Sequence, residues 1–361
     1  MTTDYRTETE IAAQPGIWDA WSADLPAIAA RIRDWIAARA PDEIWLCGAG
    51  TSAFIADSLA VALDRHQGIA LRNVATTDLV ARPGDFFRPG SRPLVVSFGR
   101  SGNSSESVGT LNLLDRLSPD ADRLNITCNK DSVLAQRAPA AVGETQVITL
   151  PPACHDAGFA MTSSYTTMLI TALACLSDAP LDELAGRMGK LAESARALLA
   201  LDMDTALPGR AVFLGSGPFK GTARESALKI LELTAGRVVT AWDSTLGFRH
   251  GPKAVIDDAT SVYVFLSSDA LTRKYDQDIV TEIRAQFPGI TVTSIGQPMP
   301  GTDAPDIAID TGLEDAWTTP VAVLPAQRLS VAWSKALDMN VDDPFAGRNL
   351  TRVVSNVRLY T

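Results

Sequence analysis

Three clusters of residues in this sequence could do chemistry. The first is Gly48-Ala49-Gly50-Thr51-Ser52, directly after a short apolar run. Glycines there let the backbone come close to a ligand. Thr51 and Ser52 sit where a helix would begin, offering hydroxyls and N–H groups. A tight, capped strand-to-helix turn would use the same residues with no ligand. The stretch reads G-A-G-T-S-A and not G-x-G-x-x-G, which disfavours a dinucleotide site. The second cluster runs Ser97-Phe98-Gly99-Arg100-Ser101-Gly102-Asn103-Ser104-Ser105-Glu106-Ser107. An oxyanion placed there would meet several N–H and O–H donors and the positive end of a helix dipole. No lysine follows in the G-x-x-x-x-G-K-[ST] arrangement, so a nucleotide P-loop is not expected. A phosphate monoester carried by a sugar suits the cluster better. A helix cap without a ligand is the plainer alternative.

The third cluster lies late in the chain: Arg224-Glu225-Ser226-Ala227-Leu228-Lys229-Ile230-Leu231-Glu232-Leu233, then Gly247-Phe248-Arg249-His250-Gly251-Pro252. The first part has a helical pattern. Leu228, Leu231 and Ala235 make an apolar stripe, and Glu225, Lys229 and Glu232 fall on neighbouring positions. Taken alone, those charges make an exposed Glu–Lys ladder worth a few tenths of a kcal/mol. His250 occupies a turn flanked by glycine and proline and is one of three histidines, with His66 and His155. A loop histidine is usually solvated; beside a carboxylate and a sugar phosphate it would complete a general acid/base pair.

The elements that must position these clusters follow from the apolar pattern. Residues 43–50 (EIWLCGAG), 92–97 (RPLVVS) and 124–128 (LNITC) are continuous apolar runs, as in parallel strands buried on both faces. Helical segments at 105–117 and 181–199 alternate with them, which is the α/β pattern. The order then recurs. Residues 210–217 (RAVFLGSG) echo 43–50, and 261–268 (SVYVFLSS) echo the strand before Ser97. Gly48 and Gly215 are 167 residues apart, and Ser97 and Ser267 are 170 apart. Near-equal offsets point to a duplicated domain. Expected boundaries are a helical lead-in at 1–35 with Trp18, Trp21 and Trp35, a first domain at 36–200, a second at 201–345 and a tail at 346–361.

Composition bounds the function. At 361 residues, and about 150 per domain, two domains fit. With 46 % hydrophobic and 20 % charged residues a sizeable core is available and wholesale disorder is excluded. Thirty-two basic against 42 acidic residues give −10, which removes the basic footprint of a nucleic-acid or anionic-membrane partner. Four scattered cysteines without a C-x-x-C pair fit a reducing, cytoplasmic setting. The opening residues lack a basic start followed by an apolar run, so export is not expected. Residues 157–176 carry no charge after Asp156, but serines and threonines interrupt them; a buried helix facing a site or an interface is expected, not a membrane span. No dense His/Cys spacing calls for a metal, and no cofactor is expected.

At these residues the chain resembles the sugar isomerase (SIS) domain proteins. It is most similar to the galactosamine-6-phosphate deaminase/isomerase family, often labelled tagatose-6-phosphate ketose/aldose isomerase, and is related to the isomerase half of glucosamine-6-phosphate synthase. The motifs are GAGTSAFIADSLA, TTDLV, SFGRSGNSSESV, ITCN, GFAMTSS, LGSG, ARESALKILELTAG, FRHGPK and the tail RVV, spanning about residues 46–355. The resemblance implies two tandem SIS domains, each a flavodoxin-like doubly wound parallel sheet, in a homodimer or higher homo-oligomer with shared sites. It implies that Ser101, Asn103 and Ser104 hold a phosphate and that Thr51 and Ser52 contact the sugar. Gly50, Arg100 and Gly102, in the same turns, are further substrate-binding candidates, as is Ser163, whose GFAMTSS stretch either lines the sugar pocket or builds the dimer core. It places Glu232 on the base that moves a proton between C1 and C2, with Glu225 and Lys229 beside it. It places His250 on the ring-opening histidine, reaching in from a neighbouring subunit. One departure is informative. Aligning Arg348-Asn349-Leu350 with the synthase tail puts Arg352 where that enzyme has a Schiff-base lysine. Arginine is too basic to supply a neutral amine, so net amino-sugar synthesis is not expected, whereas isomerisation with loss of ammonia is. A phosphosugar isomerase without deamination, and a non-catalytic phosphosugar sensor, are the alternatives.

Overall fold

The computed structural model describes residues 5–347, 350–355 and 357–360. The chain divides into two compact units that interleave along the sequence. Of the described residues, 20–156, 163–186 and those after 349 form one unit, and 5–19, 157–162 and 187–347 form the other. The expected spans were contiguous; here the short excursion 157–162 and the tail change sides. Helix α1 (Arg6–Trp21) opens the chain.

In the unit holding the serine loop, chain order runs α2 (Leu25–Arg39), β1 (Ile44–Cys47), α3 (Thr51–Leu63), β2 (Arg65–His66), β3 (Ile69–Asn73), α4 (Thr76–Ala81), β4 (Leu94–Gly99), α5 (Ser105–Leu117), β5 (Asp122–Thr127), α6 (Val133–Gln136), β6 (Thr145–Thr149) and α7 (Ser163–Leu176). Its sheet has the order β2-β3-β1-β4-β5-β6. All pairs are parallel except the short edge pair β2–β3. Without that edge strand the order is the flavodoxin-like 2-1-3-4-5. Every residue of β1, β4 and β5 is buried, which is why those strands read as unbroken apolar runs. Every residue of α7 is buried as well. Two of its threonines bond locally: Thr166 Oγ1 donates to the Ser163 carbonyl at 3.3 Å and Thr171 Oγ1 to the Thr167 carbonyl at 2.7 Å. Among the described residues no helix is long and apolar enough to cross a membrane.

The other unit holds α8 (Leu184–Ala200, from residue 187 on), β7 (Arg210–Gly215), α9 (Phe219–Leu233), β8 (Val239–Asp243), β9 (Thr260–Leu266), α10 (Ala270–Gln286), β10 (Thr291–Gly296), β11 (Ile307–Ala308), α11 (Asp315–Ala322) and α12 (Leu324–Ala336). Its sheet is fully parallel with the order β11-β10-β9-β7-β8, which from the opposite edge is again 2-1-3-4-5. Both sheets also make the same local demand. A Cβ on Gly48 would lie 2.5 Å from the Ser52 carbonyl carbon, and one on Gly215 would lie 2.4 Å from the Phe219 oxygen. In each case the following helix starts against the end of its strand. Two residues on, Gly50 and Gly217 take φ of +54° and +56°, open to glycine at little cost. The repeated strand order and repeated steric need fit tandem domains of one fold.

One expectation about packing is corrected. The stripe Leu228–Leu231–Ala235 is not the buried face of α9. Leu231 is 42 % exposed, whereas Glu225 and Lys229 are fully buried. The cause is that α9 is covered on two sides, by strands β7 and β8 and by α12. Small residues (Thr222, Ala223, Ser226, Ala227) line its buried surface.

Candidate active site

In an open α/β sheet the ligand crevice lies beyond the carboxyl ends of the strands, where the strand order reverses. In the first sheet that point falls between β1 and β4. The loop after β1 carries Gly50, and Thr51 and Ser52 open α3, both about 5 % exposed. The loop after β4 carries residues 100–104. Ser104 is the N-cap of α5, its Oγ accepting from the Ser107 N–H at 3.3 Å. Ser101 Oγ accepts from the Asn103 N–H at 3.3 Å, and Asn129 Nδ2 donates to the Ser101 carbonyl at 3.1 Å. Asn103 Oδ1 accepts from the Val133 N–H at 2.8 Å, which ties the loop to α6. Gly102 takes φ +64° and packs on Ser132, where a Cβ would lie 2.3 Å from the hydroxyl. The loop is thus fixed from several sides before any ligand arrives.

Cationic groups gather at the same loop. Arg100 is buried, at 7 % exposure, and its Nη2 donates to the Arg352 carbonyl of the tail at 3.3 Å. The tail also supplies the Val354 carbonyl, which accepts from the Ser105 N–H at 3.3 Å. His155 is the neighbour that sequence reasoning missed. Partial burial, then the Arg352 and Arg100 charges, lower its pKa below the ordinary value. A phosphate dianion would relieve that repulsion. Arg348 and Asn349, used to align the tail, lie outside the described residues. Ser163 is placed differently from a simple pocket-lining hydroxyl. It is fully buried, and its Oγ donates to Asp156 Oδ1 at 2.6 Å. Asp156 also accepts from the Ser163 and Ser164 N–H groups at 3.0 and 2.9 Å, capping α7. No local signal marks this cap, because Asp156 lies outside the helix it serves.

In the other unit, α9 brings its three charged residues together. Lys229 Nζ lies 2.6 Å from Glu232 Oε2 and 3.3 Å from Glu225 Oε1. The side chains of Glu225 and Lys229 are at most 1 % exposed, that of Glu232 is 26 % exposed. Burial alone would lower the Lys229 pKa, but the two carboxylates outweigh it and the net shift is upward. Lys229 is therefore an ammonium, not a neutral nucleophile. It leaves one carboxylate, Glu232, oriented and partly open to solvent. His250 is exposed in its turn, and no hydrogen bond joins it to Glu232 among the described residues. The turn itself is braced. Arg249 Nε donates to Glu282 at 2.7 Å, and Lys253 Nζ donates to the same carboxylate. Glu282, on α10, is a supporting residue with no signal in the motif it serves.

The equivalent crevice of the second sheet, between β7 and β9, is occupied by protein. Asp276 accepts from Ser216 Oγ at 2.7 Å, Thr245 Oγ1 at 3.0 Å and the Ser267 N–H at 2.9 Å. Asp315 accepts from the Ser268 N–H and Oγ at 2.7 and 2.6 Å and from Ser267 Oγ. Two internal carboxylates take the donors that an anion would need there.

Comparison with known proteins decides the family. The SIS domain family matches residues 39–177. D-galactosamine-6-phosphate deaminase of Escherichia coli is 37 % identical over 98 % of this chain and 95 % of its own length. The chain belongs to the SIS-domain galactosamine-6-phosphate deaminase family. The enzyme of that name from Shewanella sp. (strain ANA-3) is likewise 37 % identical, over 98 % of this chain and 91 % of its own. The crystal structure of tagatose-6-phosphate ketose/aldose isomerase from Escherichia coli superposes with a TM-score of 0.88 at 35 % identity, covering 99 % of this chain and 96 % of that one.

Proposed function

We propose that this protein converts a hexosamine 6-phosphate, with galactosamine 6-phosphate the first choice, into a ketose 6-phosphate and ammonia. The serine loop at 100–104, with Arg100, Arg352 and the hydroxyls of Thr51 and Ser52, holds the phosphate and sugar. Remote binding energy then fixes C1 and C2 for reaction. His250, contributed by the neighbouring subunit of a homodimer, passes protons between O5 and O1 and opens the ring. Glu232 takes the C2 proton, giving an enolamine, and returns it to C1. Water adds to the resulting C2 imine, and ammonia leaves as the ketone forms. Lys229 and Glu225 hold the Glu232 carboxylate in place. The proposed setting is cytoplasmic.

The observation that carries this reading is the Glu232 carboxylate gripped at 2.6 Å by a buried ammonium, in a chain whose near full-length relatives bear the deaminase name. The name of the similar crystal structure, a ketose/aldose isomerase, favours a second reading: isomerisation without loss of ammonia. Incubation with galactosamine and glucosamine 6-phosphates, scored for ammonia and ketose, and with tagatose 6-phosphate, scored for its conversion to an aldose phosphate, tests both. Ammonia in step with ketose from a hexosamine phosphate supports the deaminase. Aldose from tagatose 6-phosphate, with no ammonia from either hexosamine phosphate, supports the isomerase, and no turnover of any of them rejects both.

A further inference from the structure

Cys128 and Cys154 have no part in the chemistry above, yet they meet beside the serine loop. Their sulfurs are 3.9 Å apart. Cys128 follows β5 directly. Cys154 ends a single helical turn at Pro152–Cys154, in the irregular stretch between β6 and α7. Cys154 is fully buried, and Cys128 is 8 % exposed on the wall of an open cavity of about 600 Å³ that also includes Trp21, Asn129 and Lys130. Of the two, Cys128 is the one with any exposure. Each cysteine adjoins a support of the candidate site. Asn129, next to Cys128, holds the Ser101 carbonyl at 3.1 Å. The Cys154 carbonyl accepts from Ser163 Oγ at 3.4 Å, and Asp156, two residues on, caps α7.

We propose that Cys128 and Cys154 are a redox-sensitive dithiol whose oxidation to a disulfide loosens the serine loop and the start of α7. With hydrogen peroxide as oxidant, the Cys128 thiolate attacks one peroxide oxygen, the O–O bond breaks, and a sulfenic acid and a hydroxide result. Cys154 sulfur then attacks the sulfenic sulfur, an S–S bond forms and water leaves. Two electrons pass from the sulfurs to the peroxide, and the two thiol protons end in two waters. The sulfurs must approach by roughly 2 Å to reach bonding distance. β5 is pinned by ladders to β4 and β6, so the 152–156 turn moves. That movement draws Asp156 from the α7 N-terminus and strains the Asn129–Ser101 contact. The thiol–thiol hydrogen bond and burial push the Cys128 thiol up, with Arg100 pulling the other way. Oxidation is accordingly slow, and the pair answers sustained exposure.

The consequence for catalysis rests on the function proposed above; the disulfide does not. The whole protein is held in excess hydrogen peroxide, quenched with catalase, and its thiols are titrated in denaturant. The count falls from four to two, with one peptide pair joining Cys128 to Cys154, and dithiothreitol restores four. Backbone hydrogen exchange at residues 101–104 and at Ser163 and Ser164 rises roughly three- to thirtyfold, the range for a lost helix cap. Cys154→Ala forms no such link and shows no rise. Four thiols surviving oxidation, a link involving Cys47 or Cys175, or a Cys128–Cys154 link without faster exchange would each overturn the proposal. If the reduced protein turned over no hexosamine phosphate, the function above would fall, while thiol count and exchange would still decide the dithiol.

Discussion

Glu232→Gln separates catalysis from folding and from binding. Glutamine keeps the size of the side chain and an oxygen that can accept from Lys229 Nζ, now 2.6 Å away. Lys229 also keeps Glu225 at 3.3 Å, so no buried charge is left alone. With the Glu232 side chain 26 % exposed, solvent screens much of what the ion pair is worth. The stability change is expected to stay under about 1 kcal/mol. The proton transfer has no substitute. A positioned general base contributes roughly 10²–10⁴ in rate, or about 3–5 kcal/mol of barrier. The variant should release ammonia from galactosamine 6-phosphate at least a hundredfold more slowly, with sugar-phosphate affinity preserved by the serine loop. Coupled ammonia detection gives kcat, and calorimetry with the ketose 6-phosphate product gives affinity. Turnover within tenfold of the parent, in a variant that melts and binds normally, would remove Glu232 from the mechanism. Lys229→Met is the contrasting case, because it takes the ammonium away from a fully buried Glu225 carboxylate and should cost about 3–5 kcal/mol of stability.

Other perturbations test the frame around the site. His66 is buried, donates from Nδ1 to the Leu176 carbonyl at 2.9 Å and has no partner at Nε2. Burial, foremost, lowers its folded pKa below 6.5, so the unfolded chain takes up a proton that the folded chain resists. Its contribution is complete above 6.5 and is lost as pH falls below it; Tm measured down to about pH 5 should drop, and less steeply in His66→Phe. Gly48→Ala and Gly215→Ala both drive a methyl into the backbone of the next helix, and each should destabilise by roughly 1–3 kcal/mol in denaturant titration; a neutral result at either would contradict the close approach. Glu282→Gln should weaken the brace on Arg249 and Lys253, lowering kcat by the His250 step while the melting temperature stays near that of the parent; unchanged kcat would show the turn holds without it.

The parts that were legible in the sequence are those whose cause is local. Residues 105–117 read as a helix because Ser104 supplies a cap and an apolar period follows, and α5 has those bounds. The runs at 43–50 and 92–97 read as buried parallel strands because both of their faces are covered, and β1 and β4 are buried throughout. The repeat showed as glycines 167 residues apart because each sheet needs the same bare Cα where helix meets strand. The illegible parts depend on distant chain. Asp156 caps a helix that begins seven residues later, and the 157–162 excursion joins the other unit, so no window around GFAMTSS shows why Ser163 is sealed. The α9 charges were the sharpest case. A Glu–Lys spacing on an isolated helix signifies a solvated ladder, and only strands β7 and β8 and α12 turn it into a buried pair. One cue was nonetheless present. Thr222, Ala223, Ser226 and Ala227 put small side chains along the same face as Glu225 and Lys229. Small residues on a helix let neighbours come close, and close neighbours exclude water. A lysine among them must be paired, because an isolated buried ammonium would lose its proton. The lysine and its two carboxylates at three- and four-residue spacing therefore belong together as a desolvated unit that leaves one carboxylate, Glu232, facing outward. That arrangement is of use to a proton-transfer site and of little use to a solvated helix surface.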